Sequence, residues 1–66
     1  MNPVFIIEKN GEYLVGVPYT DTLMIRFSVS KYDAVQFHRR RTARKVANRV
    51  GGHVMIFDPL TGDLWE

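Results

Sequence analysis

The N-terminal third of the chain contains two apolar segments that are typical of β-strands. Residues 4–9 and 12–17 are apolar, β-branched segments, and Asn10-Gly11 separates them. A two-residue type I′ turn needs positive φ at both central positions, and Asn-Gly accepts this better than most residue pairs. The pattern therefore predicts a β-hairpin whose register places Lys9 opposite Glu12, Ile7 opposite Leu14 and Phe5 opposite Gly16.

The next segment alternates more cleanly and predicts a third strand. Residues 18–22 are typical of a loop, because they begin with proline and contain Thr and Asp. In residues 23–29 the apolar side chains of one face are Leu23, Ile25, Phe27 and Val29. Such alternation predicts a strand that is buried on one face.

After residue 29 the period changes to that of helices. Ser30 is a predicted N-cap, with Asp33 three residues later in a weak form of the capping box. A short helical turn through Ala34 and Phe37 is expected to follow. On one continuous helix these two side chains would point away from the apolar stripe further along, so we expect a break near residues 38–41.

The main helix is predicted from the apolar spacing within residues 38–52. Apolar side chains recur there at i, i+3, i+4 and i+7, the stripe of an amphipathic helix. They are Ala43, Val46, Ala47 and Val50. Gly51-Gly52 ends the helix, because glycine adopts the left-handed conformation that a β-carbon resists.

The C-terminal segment predicts another strand and a turn. Residues 53–57 are apolar, residues 58–62 have a turn sequence, and residues 63–66 either pair back as a short strand or fold over the sheet. We expect one α+β domain over residues 1–66, with a small antiparallel sheet and one main helix packed on one face. The element order is β-β-β-α-β, with a final short β left open.

One helix leaves the second face of this sheet uncovered. The helix-facing side chains are Phe5, Ile7 and Leu14, and the opposite set is Ile6, Val15 and Val17, joined by Met55 or Phe57. An apolar face of this kind needs cover in a soluble protein. Either Leu60, Leu64 and Trp65 fold back over it, or a partner does, or a second copy binds there as a homodimer.

Charge is concentrated on the main helix. Six of the nine basic residues lie between positions 39 and 49, with no acidic residue among them. The rest of the chain has three basic and seven acidic residues, so its net charge is −4. With no acid at i+4 to pair with, this face repels itself, and cations at a helix start are disfavoured by the helix dipole. The candidate contacts for an anionic partner are Arg39, Arg40, Arg41, Arg44, Lys45, Asn48 and Arg49. The alternative is that they form an ordinary solvated helix face.

The sequence lacks the residue patterns that are typical of several function classes. The chain has no cysteine, no phosphate-binding glycine loop, no nucleophile elbow and no metal-ligand spacing. We therefore expect no enzymatic activity, cofactor or metal. No segment resembles a membrane span or a secretory leader, which predicts a soluble protein of the cytoplasm.

The segments SKYDAVQF and TARKVANRVGGHVMIF carry a resemblance. Together with the glycine-turned hairpin, they resemble small uncharacterised proteins encoded by phages and prophages of Gram-positive bacteria. The resemblance covers most of the chain but describes packing more than chemistry. It implies a phage accessory protein in the host cytoplasm and transfers no catalytic residue.

Two functional hypotheses remain. The first is a nucleic-acid-binding protein whose helix binds phosphates through arginine. The planar guanidinium group of arginine can donate two hydrogen bonds to one phosphate. The second is a protein-binding module that docks on an acidic host protein and modulates or inhibits it, as a factor of host takeover or anti-defence. In the second case the basic face steers association and the apolar sheet face binds.

Overall fold

The fold is an antiparallel sheet with one α-helix, described in a computed structural model for residues 3–16 and 25–66. The five strands lie in the order β3-β2-β1-β4-β5. Their bounds are β1 Val4–Lys9, β2 Glu12–Leu14, β3 Phe27–Ser28, β4 His53–Asp58 and β5 Asp63–Trp65, and the helix α1 spans Arg40–Val50. The predicted α+β class, element order and final strand are confirmed.

The N-terminal hairpin has the predicted turn. Asn10 and Gly11 both have positive φ, 54° and 83°, and Lys9 pairs with Glu12. A carboxylate oxygen of Glu8 accepts the Gly11 N–H at 2.8 Å. The predicted second strand is longer than the observed one, which ends at Leu14. The predicted pairing of Phe5 with Gly16 is wrong, because Phe5 pairs with Phe37 instead.

The prediction of a third strand is mostly wrong within the described residues. β3 contains two residues, Phe27 and Ser28, and Ile25 and Val29 are 43% and 78% exposed. The Ser28 hydroxyl accepts the Ser30 N–H at 3.1 Å, which turns the chain out of the sheet directly after β3. The predicted loop at residues 18–22, and Leu23 of the predicted strand, lie outside the described residues.

The break before the main helix is confirmed, but its form was not predicted. A 3-10 turn spans Lys31–Asp33, Ser30 makes no side-chain cap hydrogen bond, and Ala34 is already extended. The predicted capping box and helical turn through Ala34 and Phe37 are therefore wrong. A turn this short has few free N–H groups to cap, because the main chain itself bonds Asp33 N–H to the Ser30 carbonyl.

Residues 34–37 cross from one face of the sheet to the other through a gap between β1 and β2. The Val35 N–H donates to the Leu14 carbonyl of β2 at 2.9 Å, and Phe37 bridges Phe5 of β1. Ala34 packs with Ile6 on one face, whereas Phe37 joins the core cluster beneath the helix on the other.

The helix lies on the sheet through the predicted stripe. Ala43, Ala47 and Val50 are buried, and Val46 packs against the same cluster. Gly51 has φ of 77° and ends α1 as predicted. The Lys9 ammonium donates to the Val50 carbonyl at 3.0 Å, which fastens the helix C-terminus to β1.

The second face of the sheet is partly covered by residues 31–34, a segment that the prediction did not consider. Its buried residues are Val4, Ile6, Ala34 and Phe57, and Tyr13, Met55 and Leu64 pack against them. The Tyr32 ring meets Phe57 edge-on at 5.5 Å between centroids. Leu64 contributes as predicted, but Leu60 stays 78% exposed. A homodimer through this face remains a prediction, and the internal cover weakens the reason for it.

Candidate nucleic-acid interface

The predicted contact residues form one exposed surface, which we call the basic face. It consists of Arg39, Arg40, Arg41, Arg44, Lys45, Asn48 and Arg49, all of them exposed. Because Ala43 and Ala47 are buried on the other side of α1, the helix holds these side chains away from the sheet. The sequence predicted this division, since it follows from the helical period alone.

Five members of the basic face line one open cleft of about 420 Å³. They are Arg40, Arg41, Arg44, Lys45 and Asn48. Arg39 lies at the N-cap position, outside the helix proper, and Arg49 lies in the last turn. The structure therefore brings together the middle of the predicted set and leaves these two at its ends.

The cations of the basic face are uncompensated within the described residues. No carboxylate in residues 3–16 or 25–66 lies within 4.0 Å of a basic nitrogen of this face, and the contact within that distance elsewhere joins His53 Nε2 to Glu8 Oε1 at 2.9 Å. The first turn of α1 contains no acid either. An anionic partner would consequently meet several positive charges that make no ion pair with a carboxylate of the described residues.

Arg40 is held in place by an aromatic ring. Its guanidinium carbon lies 5.4 Å from the centroid of the Phe5 ring. Phe5 is a half-buried residue of β1 that packs against the core beneath the helix. A cation–π contact of this kind orients the guanidinium without neutralising it. The sequence carried no signal for this contact, because it depends on where the helix begins over the sheet.

A second cleft separates α1 from the strands beside it, and we call it the side groove. Its helix wall is formed by Arg40, Arg44 and Asn48, at i, i+4 and i+8, together with Ala47. Its other lining residues are Gly52, His53, Val54 and Glu66, and its volume is about 350 Å³. The sequence analysis missed this groove, since helix periodicity does not say which strands the helix leaves uncovered.

Trp65 lies on the same side of the sheet as α1. It pairs with Ile56 in β4, and Ile56 pairs with Phe5 in β1. Directly paired residues share a face, and Phe5 packs toward the helix. Trp65 is nevertheless 44% exposed, because it lies on the edge strand. The alternative in which Trp65 folds back over the opposite face is therefore wrong.

The remaining polar groups have local roles. Asp58 is buried, and its carboxylate accepts the Leu60 N–H at 2.9 Å. Glu8 holds the exposed His53 as described above. No group of three potential metal ligands occurs within the described ranges, and no helix there has the length and apolar composition of a membrane span.

Comparison of the chain with models of known protein families, with curated proteins and with solved structures gives no match. The resemblance to phage and prophage proteins therefore stays a prediction. The function must be argued from the basic face and its surroundings.

Proposed function

We propose that this protein binds nucleic acid through the basic face of α1 and acts without catalysis. The observation that supports this most is the group of exposed cations with no carboxylate within 4.0 Å in the described part of the chain. Stability alone would favour acids in the first helical turn, where this chain has none. The resemblance adds the proposal that it is a phage accessory protein of the host cytoplasm.

The spacing of the cations suits a polyanion with regular charges. Arg41, Lys45 and Arg49 follow one another every fourth residue, so they form a row with steps of about 6 Å along the helix. Arg40 and Arg44 form a parallel row on the flank next to the side groove. Arginine bonds phosphate through two N–H groups at once, and several such contacts bind a phosphate backbone without reading its sequence.

An acidic host protein is the alternative partner for the same cations. The apolar second sheet face that favours such a partner is partly covered by Tyr32 and Ala34. What remains is charge, which a phosphate backbone offers at higher and more regular density than a folded protein surface. Nucleic acid is therefore the better supported partner.

Salt dependence tests the proposal. Binding of a labelled duplex, of its single strand and of an RNA of the same sequence is measured between about 50 and 200 mM salt. With three phosphate contacts or more, we expect the logarithm of the duplex binding constant to fall with a slope steeper than about −2.7 against log salt. Absence of binding to all three ligands at low salt would exclude the function.

Matched variants locate the binding surface. Arg44→Gln should weaken binding to every sequence and reduce the salt slope by about 1. Arg26→Gln removes the same charge from an exposed residue next to β3, so it should leave affinity nearly unchanged. Equal losses in the two variants would mean that only net charge matters. A polyglutamate that competes as well as nucleic acid at equal charge would favour the acidic-protein alternative.

A further inference from the structure

The side groove joins a cationic wall to a face that carries an exposed aromatic ring. Arg40, Arg44 and Asn48 line it from the helix. Glu66 also lines it, and the residue before it, Trp65, occupies the helix side of the edge strand β5. A positively charged groove combined with an exposed aromatic side chain is the common arrangement where proteins bind unpaired bases.

The charges that line the side groove favour one orientation of a bound nucleic-acid strand. A phosphate is attracted by Arg40 and Arg44 and repelled by Glu66, so a nucleic-acid backbone is favoured along the helix wall. Bases attached to that backbone then point toward the strands, where Val54 lines the groove and Trp65 lies beside it. Unpaired bases can reach this surface, whereas those of a duplex remain inside its stack.

We propose that the protein binds single-stranded nucleic acid across the side groove, with phosphates on Arg40 and Arg44 and a base stacked on Trp65. This rests on the proposed nucleic-acid function and adds the form of the ligand. The cation–π contact with Phe5 fixes Arg40 at the end of the groove and leaves its charge available. The groove volume of about 350 Å³ lies within the usual range of small-ligand sites, which suits one nucleotide unit at a time.

The chain contains a built-in reporter for this arrangement, because Trp65 is its one tryptophan. The full chain is titrated with a short single-stranded DNA of mixed sequence and, separately, with the duplex of that sequence. We expect the single strand to bind about tenfold more tightly than the duplex and to quench the tryptophan emission in step with binding.

Variants at Trp65 test the stacking itself. Trp65→Ala should weaken single-strand binding about tenfold and duplex binding much less, because stacking contributes only with an unpaired base. Trp65→Phe keeps an aromatic face and should retain most of the affinity. Leu60→Ala is the control, since Leu60 is a similarly exposed apolar side chain on the turn before β5 and should have no effect.

A change in the ligand rather than in the protein tests the stacking without any effect on the folding of the protein. Abasic sites in the single strand preserve every phosphate and remove the bases, so they should reduce affinity by the same factor as Trp65→Ala. Unchanged affinity for the abasic strand, unchanged emission on binding, or tighter binding of the duplex would overturn this inference while leaving the nucleic-acid function standing. Absence of any binding would instead overturn the function.

Discussion

Phe5 and Phe37 exchange two main-chain hydrogen bonds, each 2.8 Å long, although Phe37 belongs to no strand. The bridge continues the pairing of β1 where β2 has diverged from it. It also places the buried Phe37 side chain in the core beneath α1, only a few residues before the helix begins at Arg40. The position of the basic face therefore depends on a contact made outside the helix.

Phe37→Ala should lower the free energy of unfolding by about 3–5 kcal/mol, because it leaves a cavity in a small core. Urea unfolding followed by circular dichroism measures this. Val29→Ala is the matched control: Val29 is 78% exposed, so its loss should change stability by less than about 0.5 kcal/mol. Similar values for the two variants would show that Phe37 is not part of the core.

Gly52→Ala should destabilise the fold for a steric reason. A β-carbon at this position would lie 2.8 Å from the Glu8 carbonyl oxygen and 2.8 Å from an Ile7 methyl carbon, so β1 or the helix end must shift. We expect a loss of about 1–3 kcal/mol in thermal or chemical unfolding.

Gly11→Ala separates that steric effect from a conformational one. Its β-carbon would meet nothing within 4 Å, but φ at Gly11 is +83°, so the variant should lose about 1 kcal/mol through backbone strain alone. Adding Gly52→Ala to it should give additive losses, since the two costs are independent. A Gly52→Ala protein as stable as the parent would contradict the close approach of residue 52 to β1.

Phe5→Leu should weaken nucleic-acid binding by freeing Arg40 while keeping an apolar side chain in β1. The contact between the guanidinium and the ring is expected to contribute about 0.5–1 kcal/mol. In a double-mutant cycle with Arg40→Gln, the effects of the two substitutions on affinity should not add. Additive effects would indicate that the ring does not position this arginine.

Glu66→Gln should strengthen binding, because it removes a carboxylate that lines the side groove. We expect about a twofold rise in affinity at low salt and a smaller one at high salt, since screening weakens the repulsion. Glu12→Gln removes an equal charge from an exposed position in β2 and serves as control. A fall in affinity on Glu66→Gln would place the ligand backbone on the other side of the groove.

Local patterns predicted the parts of the fold that depend on neighbouring residues. Asn10-Gly11 predicted the hairpin turn and the register beside it, and the spacing of Ala43, Val46, Ala47 and Val50 predicted the buried stripe of the helix. The basic face followed directly, because the side of a helix opposite its buried stripe is exposed.

Features that depend on distant contacts were missed. Nothing around Ala34 indicated that the chain would cross between two strands, since the main-chain partners, Leu14 and Phe5, are far away in sequence. Alternation at Ile25 and Val29 was read as burial, but β3 is a short edge strand and leaves both exposed. The side groove and the orientation of Trp65 likewise require the placement of α1 and β5 on the sheet.

The crossing of residues 34–37 makes the two cores of this small domain one cooperative unit. The same four residues place Ala34 in one core and Phe37 in the other, and they supply main-chain partners to both β1 and β2. Opening either core would displace a segment that the other core also uses. We therefore expect unfolding to be all-or-none, with the helix and the far side of the sheet lost in a single transition and no half-folded form retaining the arginine surface.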